Sequence, residues 1–216
     1  MFKDVIQSQV IGTLKIYDKD SGEVLVQKKN AIHPGNMAYV LASAMAGKPT
    51  SVNSSGDAPH INWMQFGKGG SVSTTTLSYK SPRVNSTYDE LAVTASNSSL
   101  YTPTYEQVTV NTVYAPGGAM GDSTVPNNTA KVNFRVDITH ADYQEAVGGS
   151  IPANDSSVAP DYTFDEIGLL AGVRNSGATT LDRTKTLMLT HVTFHPVLLS
   201  ANRTIVIDYT VTIQIS

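Results

Sequence analysis

The last thirteen residues constrain the fold of this chain more than any other segment. In residues 204–216 apolar and polar side chains alternate, and Val206 is the one apolar residue on the polar face. Side chains of a β-strand point alternately to opposite faces, so this pattern predicts a long strand with one buried face. The predicted buried residues are Ile205, Ile207, Tyr209, Val211, Ile213 and Ile215. Because the strand runs to the last residue without a charged tail, we expect it to lie at a sheet edge or to pair with another molecule.

Shorter alternating or β-branched runs predict the other strands. A hairpin is expected from residues 10–17 and 23–27, because the turn between them ends in Gly22. Further strands are predicted at residues 61–67, 104–114, 130–139, 163–173 and 186–195. Pro196 is expected to end the last of these, since proline cannot donate a ladder hydrogen bond.

One helix is predicted at about residues 36–46. Pro34 lies near its start, Gly47 follows its end and Pro49 prevents its continuation. Its apolar residues recur at helical spacing and form one stripe, which we expect to pack on the sheet. They are Met37, Val40, Leu41, Ala44 and Met45.

Together these segments predict a mainly β protein, an antiparallel β-sandwich-like domain with one short α-helix packed on the sheet. We expect a single β-rich structural domain over residues 1–216, with long assembly loops at about 71–103, 115–129 and 148–162. Connections longer than about 12 residues are uncommon in compact domains unless they have a function. Contact with neighbouring subunits is the function that we expect for them.

Composition and charge disfavour several classes of protein. Charged residues make up 15% of the chain, and the net charge is −3 with no basic run. This balance argues against nucleic acid or an anionic membrane as a partner. The chain has no cysteine, so it has neither disulfides nor thiolate metal sites. No apolar stretch approaches the ~20 residues of a membrane span, and we expect folding in a reducing cytoplasm because no secretory signal is visible.

Two histidines, His191 and His195, have the spacing of a metal-binding pair only if they lie on a helix. In the predicted strand they would be about 13 Å apart, too far for one ion whose ligand bonds are about 2 Å long. We therefore interpret both histidines as structural.

The loops are rich in oxygen-bearing side chains, but these do not have the spacing of a calcium-binding loop.

Three other groups of residues have a chemical and a structural interpretation. Residues 67–71 are rich in glycine, but they lack the spacing of a phosphate-binding loop and a following helix, so we predict a turn. Asp165 and Glu166 would point to opposite sides of an extended segment and could not act on one bond, so we expect a structural role. Asp137, His140 and Asp142 cluster near a predicted strand end. No nucleophile motif lies nearby, so we do not expect them to be catalytic.

Five tyrosines either supply rings that stack on sugars or lie in subunit interfaces, and the sequence leaves both interpretations open. They are Tyr79, Tyr88, Tyr101, Tyr105 and Tyr114. We predict no catalytic, cofactor-binding or metal-binding residue in the chain, and no cofactor.

Four segments, in their order along the chain, resemble a group of tailed-bacteriophage virion proteins. They are NAIHPGNMAYVLASAMAG (30–47), INWMQFGKGG (61–70), FDEIGLLAG (164–172) and MLTHVTFHPVLLSANRTIVIDYTVTI (188–213). In that group a strand and a small-residue helix lead to an I..M.FG.G strand, and an EIGL strand later precedes a closing hairpin. The match covers roughly half of the chain.

The resemblance implies a non-enzymatic, multicopy structural component of the virion that mediates subunit–subunit assembly at the tail, neck or baseplate. Its partners would be other copies of itself and other virion proteins, with no nucleic acid and no membrane. Its location would be the virion, after synthesis in the host cytoplasm. The alternatives are a capsid decoration protein and a carbohydrate-binding adsorption module, and a hydrolase is third. The resemblance carries over no catalytic or cofactor residue.

Overall fold

Two antiparallel β-sheets face each other in the computed structural model and enclose the core. The structure describes residues 7–46, 60–73, 75–84, 99–114, 126–139, 162–172, 186–200 and 202–216. The first sheet contains β1 (Ser8–Asp18), β2 (Val24–Lys29), β8 (Val110–Tyr114), β9 (Thr129–Ile138) and β13 (Ile205–Ile215). The second contains β3 (Ala31–Ile32), β4 (Ile61–Gly67), β7 (Pro103–Val108), β10 (Tyr162–Ala171), β11 (Leu187–Met188) and β12 (Thr190–Leu199). With the hairpin β5 (Ser71–Ser73) and β6 (Leu77–Tyr79) and the helix α1 (Pro34–Ala46), this confirms the predicted mainly β, sandwich-like fold with one short helix.

Strand β13 lies in the middle of the first sheet, whose order is β2-β1-β13-β9-β8. It pairs with β1 from Asp18↔Ile205 to Ser8↔Ile215, and with β9 along its other side. The predicted strand is confirmed, and Ile205, Ile207 and Tyr209 on its inner face are fully buried. Its predicted position at a sheet edge is wrong. Alternation within a strand predicts which face is buried, but the strands beside it come from distant parts of the chain.

The second sheet has the order β3-β12-β10-β4-β7, with β11 also paired to β10. Strand β10 lies within the predicted range 163–173 apart from its first residue, and it is buried at every position except Thr163. On the inner face the ring of Phe164 packs against those of Phe66 and Phe194, with centroids 5.4 and 5.9 Å away. On the outer face a second, smaller apolar cluster contains Trp63, Leu100, Leu170 and Met188. Both faces of β10, in the middle of this sheet, are therefore buried except at Thr163.

Strand β12 continues through Pro196 to Leu199, so the prediction that Pro196 ends it is wrong. The register shifts here, because Phe164 pairs with Val197 whereas Glu166 pairs with Thr193. Proline is tolerated at such a bulge because its missing N–H is not needed by the ladder. The shift also changes which side chains of β10 face inwards: Phe164 before it and Ile167 after it both belong to the main core.

Residues 104–114, predicted as one strand, form two strands in different sheets. Strand β7 pairs with β4, and β8 pairs with β9. Thr109 lies between them, and its amide donates to the carbonyl oxygen of Asn62 at 3.0 Å. The chain therefore crosses from one sheet to the other at Thr109, a corner that alternation alone does not reveal.

The first hairpin is tied to the start of β13 by Asp18. Its carboxylate accepts hydrogen bonds from the amides of Asp20 and Ser21, at 3.0 and 2.8 Å, and from Nε of Arg203 at 2.6 Å. The bond from the Ser21 amide, followed by that from Arg203, holds the pKa of Asp18 well below its usual range. Gly22 has a φ of 72°, the left-handed conformation that a turn glycine adopts readily, and the predicted hairpin is confirmed.

Helix α1 begins at Pro34 and ends at Ala46, close to its predicted bounds. Met37 and Val40 are buried in the main core, and Leu41 is partly buried against it. Ala44 is exposed and Met45 is 90% exposed, so the predicted stripe is wrong in the last turn.

Polar residues account for the rest of the buried helix face. Asn36 and Ser43 are buried, and Nδ2 of Asn36 donates to the carbonyl oxygen of Met188 at 2.9 Å. A pattern of apolar residues alone leaves out Asn36 and Ser43. The predicted buried face is therefore displaced around the helix towards Met45.

Two methionines on this helix provide a matched test. Met37→Ala should lower the free energy of unfolding by ~2–5 kcal/mol, because truncation leaves a cavity in the core. Met45→Ala should change it by less than about 0.5 kcal/mol, because its side chain is in solvent. Chemical denaturation of the two variants measures both values. Equal unfolding midpoints would contradict the placement of the helix.

Because β13 is central in its sheet, its truncation should disrupt the fold itself. Deleting residues 210–216 removes half of the pairing with β1 and β9, so the isolated chain should lose its cooperative unfolding transition even at low concentration. Deleting Ser216 alone leaves β13 intact and should preserve the transition. Circular dichroism melts compare the two. A truncated chain that melts like wild type would show that the end of β13 is dispensable for folding.

Candidate functional site

A buried acid–base pair lies on the outer side of the second sheet. Glu166 on β10 and His191 on β12 are both fully buried, and Oε2 of the glutamate is 3.0 Å from Nε2 of the histidine. These two neighbouring strands bring together residues that are far apart in sequence. Since charged residues are almost never fully buried without partners, the pair is the natural candidate for a site.

Glu166 accepts three hydrogen bonds besides the one from His191. Its Oε1 accepts from the amides of Gly69 and Thr102, at 3.0 and 2.8 Å, and its Oε2 accepts from the amide of Tyr101 at 2.9 Å. The first amide belongs to the turn after β4, and the other two precede β7. One carboxylate thus holds two separate connections against the sheet.

The hydrogen-bond network assigns the proton on His191. Its Nδ1 is 2.8 Å from the amide nitrogen of Arg83, which donates, so Nδ1 carries a lone pair. The proton therefore lies on Nε2 and points at Glu166. The imidazole is neutral in this arrangement, and the buried pair carries the single negative charge of the glutamate.

The pKa of Glu166 reflects two opposing effects. Burial raises it, because a low dielectric disfavours the charged form. The hydrogen bonds from His191 and from the amides of Thr102 and Tyr101 lower it by more, so the pKa of Glu166 lies below its usual value. The carboxylate is therefore ionised at neutral pH.

The neighbouring carboxylate binds the rest of the same glycine-rich turn. Asp165 accepts from the amides of Gly70 and Ser71, each at 2.8 Å, and from the hydroxyl of Ser71. A Cβ on Gly70 would lie 2.6 Å from the carbonyl oxygen of Asp165, so the close approach requires glycine there. Residues 67–71 thus form a turn whose anion-binding amides are occupied by the protein's own carboxylates.

The prediction that Asp165 and Glu166 point to opposite sides is wrong. The register shift beside Asp165 interrupts the alternation of β10, and consecutive amides of one turn contact both carboxylates. The predicted structural role fits this arrangement, because each carboxylate fixes backbone and neither faces an open cavity in the described part of the chain.

Cations and tyrosines form an outer layer over the buried pair. Nζ of Lys80 lies 4.4 Å from the centre of the Tyr101 ring, and the guanidinium carbon of Arg83 lies 3.9 Å from it. Nζ of Lys28 lies 4.6 Å from the centre of the Tyr79 ring. Such contacts attract the cation to the face of the ring. The cations therefore compete with a sugar for the faces of these rings, although Tyr79 remains 48% exposed.

The remaining predicted site residues lie apart from this centre. Asp137 forms ion pairs with Lys19 and Arg135, both at 2.9 Å. His195 is exposed, with Nδ1 3.5 Å from the hydroxyl of Tyr79. Tyr105 is buried and Tyr114 is exposed. His140, Asp142 and Tyr88 lie outside the described residues.

The loops predicted at 71–103, 115–129 and 148–162 are described only in part. In the first, residues 71–73, 75–84 and 99–103 form a short hairpin and the segments that cover Glu166. Residues 115–125 and 148–161 lie outside the described part. The described portion of the first loop contacts Glu166 and β12 of its own chain, and the expected contact of the loops with neighbouring subunits stays a prediction.

The arrangement stabilises the structure, and it leaves no polar side-chain atom of Glu166 or His191 without a hydrogen-bond partner. Both nitrogens of His191 and both oxygens of Glu166 are engaged, and neither side chain is exposed. Within the described ranges, no three His, Asp or Glu residues lie close enough to hold a metal ion. Sequence reasoning missed Arg83 and the amides of residues 101 and 102, because only tertiary pairing brings them to Glu166.

The chain matches no protein-family profile, no curated protein sequence and no solved structure. In the described part of the chain, no helix has the length and apolar character needed to cross a membrane.

The buried charge gives a pH-dependent prediction. Glu166→Gln should lower the free energy of unfolding by ~1.5–3 kcal/mol at neutral pH, because it replaces hydrogen bonds to a charged acceptor. Since the folded pKa of Glu166 is depressed, its stabilisation is complete above the ordinary value of 4.5 and is lost as pH falls through the folded pKa. The difference between wild type and variant should therefore shrink in acid.

Urea denaturation at several pH values measures that difference. Glu23→Gln is the matched control, because this glutamate side chain is 70% exposed and lies 3.9 Å from Arg203. It should follow wild type at every pH. A Glu166→Gln chain as stable as wild type at neutral pH would contradict the role given to the carboxylate.

Proposed function

We propose that this chain is a non-enzymatic, multicopy structural component of a tailed-phage virion that mediates subunit contacts at the tail, neck or baseplate. Its partners are then other copies of itself and other virion proteins. The proposal starts from the resemblance of four sequence segments to phage virion proteins. Capsid decoration is the nearest alternative.

The observation that carries the proposal is the spatial arrangement of those four segments. They contribute β3 with α1, then β4, β10 and β12, and finally most of β13. Strands β3, β12, β10 and β4 are consecutive neighbours in the second sheet, and the helix is bonded to this unit through Asn36 and Met188. Segments spread along the chain thus form one contiguous structural unit. This supports a resemblance to a shared fold rather than to scattered motifs.

The chemistry of the described residues also favours a structural role. The one fully buried acid–base pair described is saturated by internal hydrogen bonds, as a stabilising cluster is. The alternative of glycan binding by stacked tyrosines has less support, because Tyr105 is buried and Lys80 and Arg83 lie against the Tyr101 ring, while Tyr79 keeps 48% of its surface exposed. Tyr114 is the exposed tyrosine that lies on a strand edge of the first sheet.

Purified particles provide the test. Quantitative mass spectrometry of particles from infected cells should find the chain in many copies per particle. Deleting its gene should leave incomplete particles, and supplying the wild-type chain from a plasmid should restore them. Electron micrographs of the deletion particles would then identify whether tail, neck, baseplate or head surface is defective. Complete, infectious particles without the chain would contradict the proposal.

A further inference from the structure

Strand β8 presents an open backbone edge at the end of the first sheet. It pairs with β9 on one side, and among the described residues no strand pairs with its other side. All five of its residues are exposed, including Val110 at 69% and Val113 at 47%. An exposed edge carries unpaired N–H and C=O groups, which are a template for another strand.

The other sheet edges carry features that discourage pairing. Strand β2 ends in Lys28 and Lys29, and β7 contains Pro103 and Glu106. Strand β3 has two residues, and each strand of the β5–β6 hairpin has three. Charges, prolines and short length are the usual protections of an edge strand. Strand β8, with the sequence VNTVY, has none of them.

We infer that β8 pairs antiparallel with β8 of a second copy, about a two-fold axis at Thr112. This inference rests on the proposed function, because it names the contact by which copies associate. The partner strand is identified in two steps. The unpaired backbone groups of an open edge are satisfied by another strand, and β8 is the one unprotected edge that each copy offers in the described part of the chain. The two first sheets become one continuous sheet across the axis.

The side chains of β8 are compatible with that register. Val110 faces Tyr114 of the second copy, Asn111 faces its Val113, and Thr112 faces its Thr112. Aromatic–β-branched and threonine–threonine pairs are favourable across strands, and no like charges are opposed because β8 is uncharged. The nearest charges on the same face, Arg135 and Lys131, lie on β9 and are separated by both β8 strands.

A five-residue strand makes a small contact. Stable interfaces bury about 1,200–2,000 Å² in total, more than one strand edge supplies, so the isolated chain should associate weakly and reversibly. In a multicopy particle the same contact is reinforced by other contacts of each copy, as linked binding sites reinforce each other. Weak association in solution and firm association in particles are therefore both expected.

A charge swap at the axis tests the register. Thr112→Lys and Thr112→Glu each place like charges opposite one another, so each variant alone should associate about tenfold more weakly than wild type. Mixing the two variants should restore association, because opposite charges then meet. Sedimentation equilibrium of the full chain measures all three samples. Thermal melts should be unchanged in both variants, since residue 112 is exposed.

A single cysteine provides a second, structural readout, because the chain has no cysteine of its own. Opposed residues of antiparallel strands have Cα atoms about 4.5–5.5 Å apart, within the range that a disulfide spans. Thr112→Cys should therefore form a covalent dimer on mild oxidation. The matched control is Thr13→Cys, which is exposed on β1 but flanked by β2 and β13 and should not cross-link.

The outcomes separate this inference from the proposed function. Charged variants that associate as well as wild type, or a Thr112→Cys chain that cross-links no more than Thr13→Cys, would overturn pairing through β8. That would leave the virion role standing if the chain is present in particles. A chain absent from particles would overturn the virion role, while rescue in the mixture would still support pairing through β8.

Discussion

One buried negative charge determines how the connections of this protein are arranged over its second sheet. Glu166 is fully buried, and an uncompensated carboxylate in that position would cost several kcal/mol. Its donors come from the turn at Gly69, from Tyr101 and Thr102, and from His191. His191 in turn accepts from the amide of Arg83, so a further segment is fixed through the same charge. Buried backbone amides need a hydrogen-bond partner, and for these connections a side chain of the sheet supplies it.

The same cluster explains why this part of the surface does not resemble an active site. Its amides, carboxylates and imidazole satisfy one another, and the cations above it rest on tyrosine rings. Among the sheet edges in the described part of the chain, β8 at the end of the other sheet is the one that has no charge, no proline and no very short strand to protect it. A saturated polar cluster and an exposed strand edge, both in the described part of the chain, fit the assembly role that we propose. The inferred contact between copies rests on this contrast, whereas the proposed virion role rests on the resemblance of four sequence segments to phage virion proteins.

The sequence predicted features that depend on local periodicity. The strands around Val136, Leu169 and Ile207 are confirmed because two-residue alternation or a continuous apolar run survives in any tertiary context. The helix bounds are close because Pro34 limits the helix locally.

Features that depend on pairing between distant segments were not predictable in the same way. The edge position of β13, the end of β12 at Pro196 and the opposite directions of Asp165 and Glu166 were wrong, because register and neighbours decide them. The exposure of Met45 and the corner at Thr109 were not predicted for the same reason: contacts with distant segments decide both. For the site, sequence singled out Glu166, His191 and the glycine-rich turn separately. It did not bring them together, because no local signal connects residues that meet through sheet pairing.

A cryo-EM map of the intact particle is the most direct measurement of the central claim, that this chain is a repeated structural subunit whose copies join through a strand edge. We expect symmetric copies of the sandwich, with density for a continuous sheet crossing from β8 of one copy to β8 of the next. A map without the sandwich would rule out the virion role, and a map with β8 facing solvent in every copy would rule out pairing through β8.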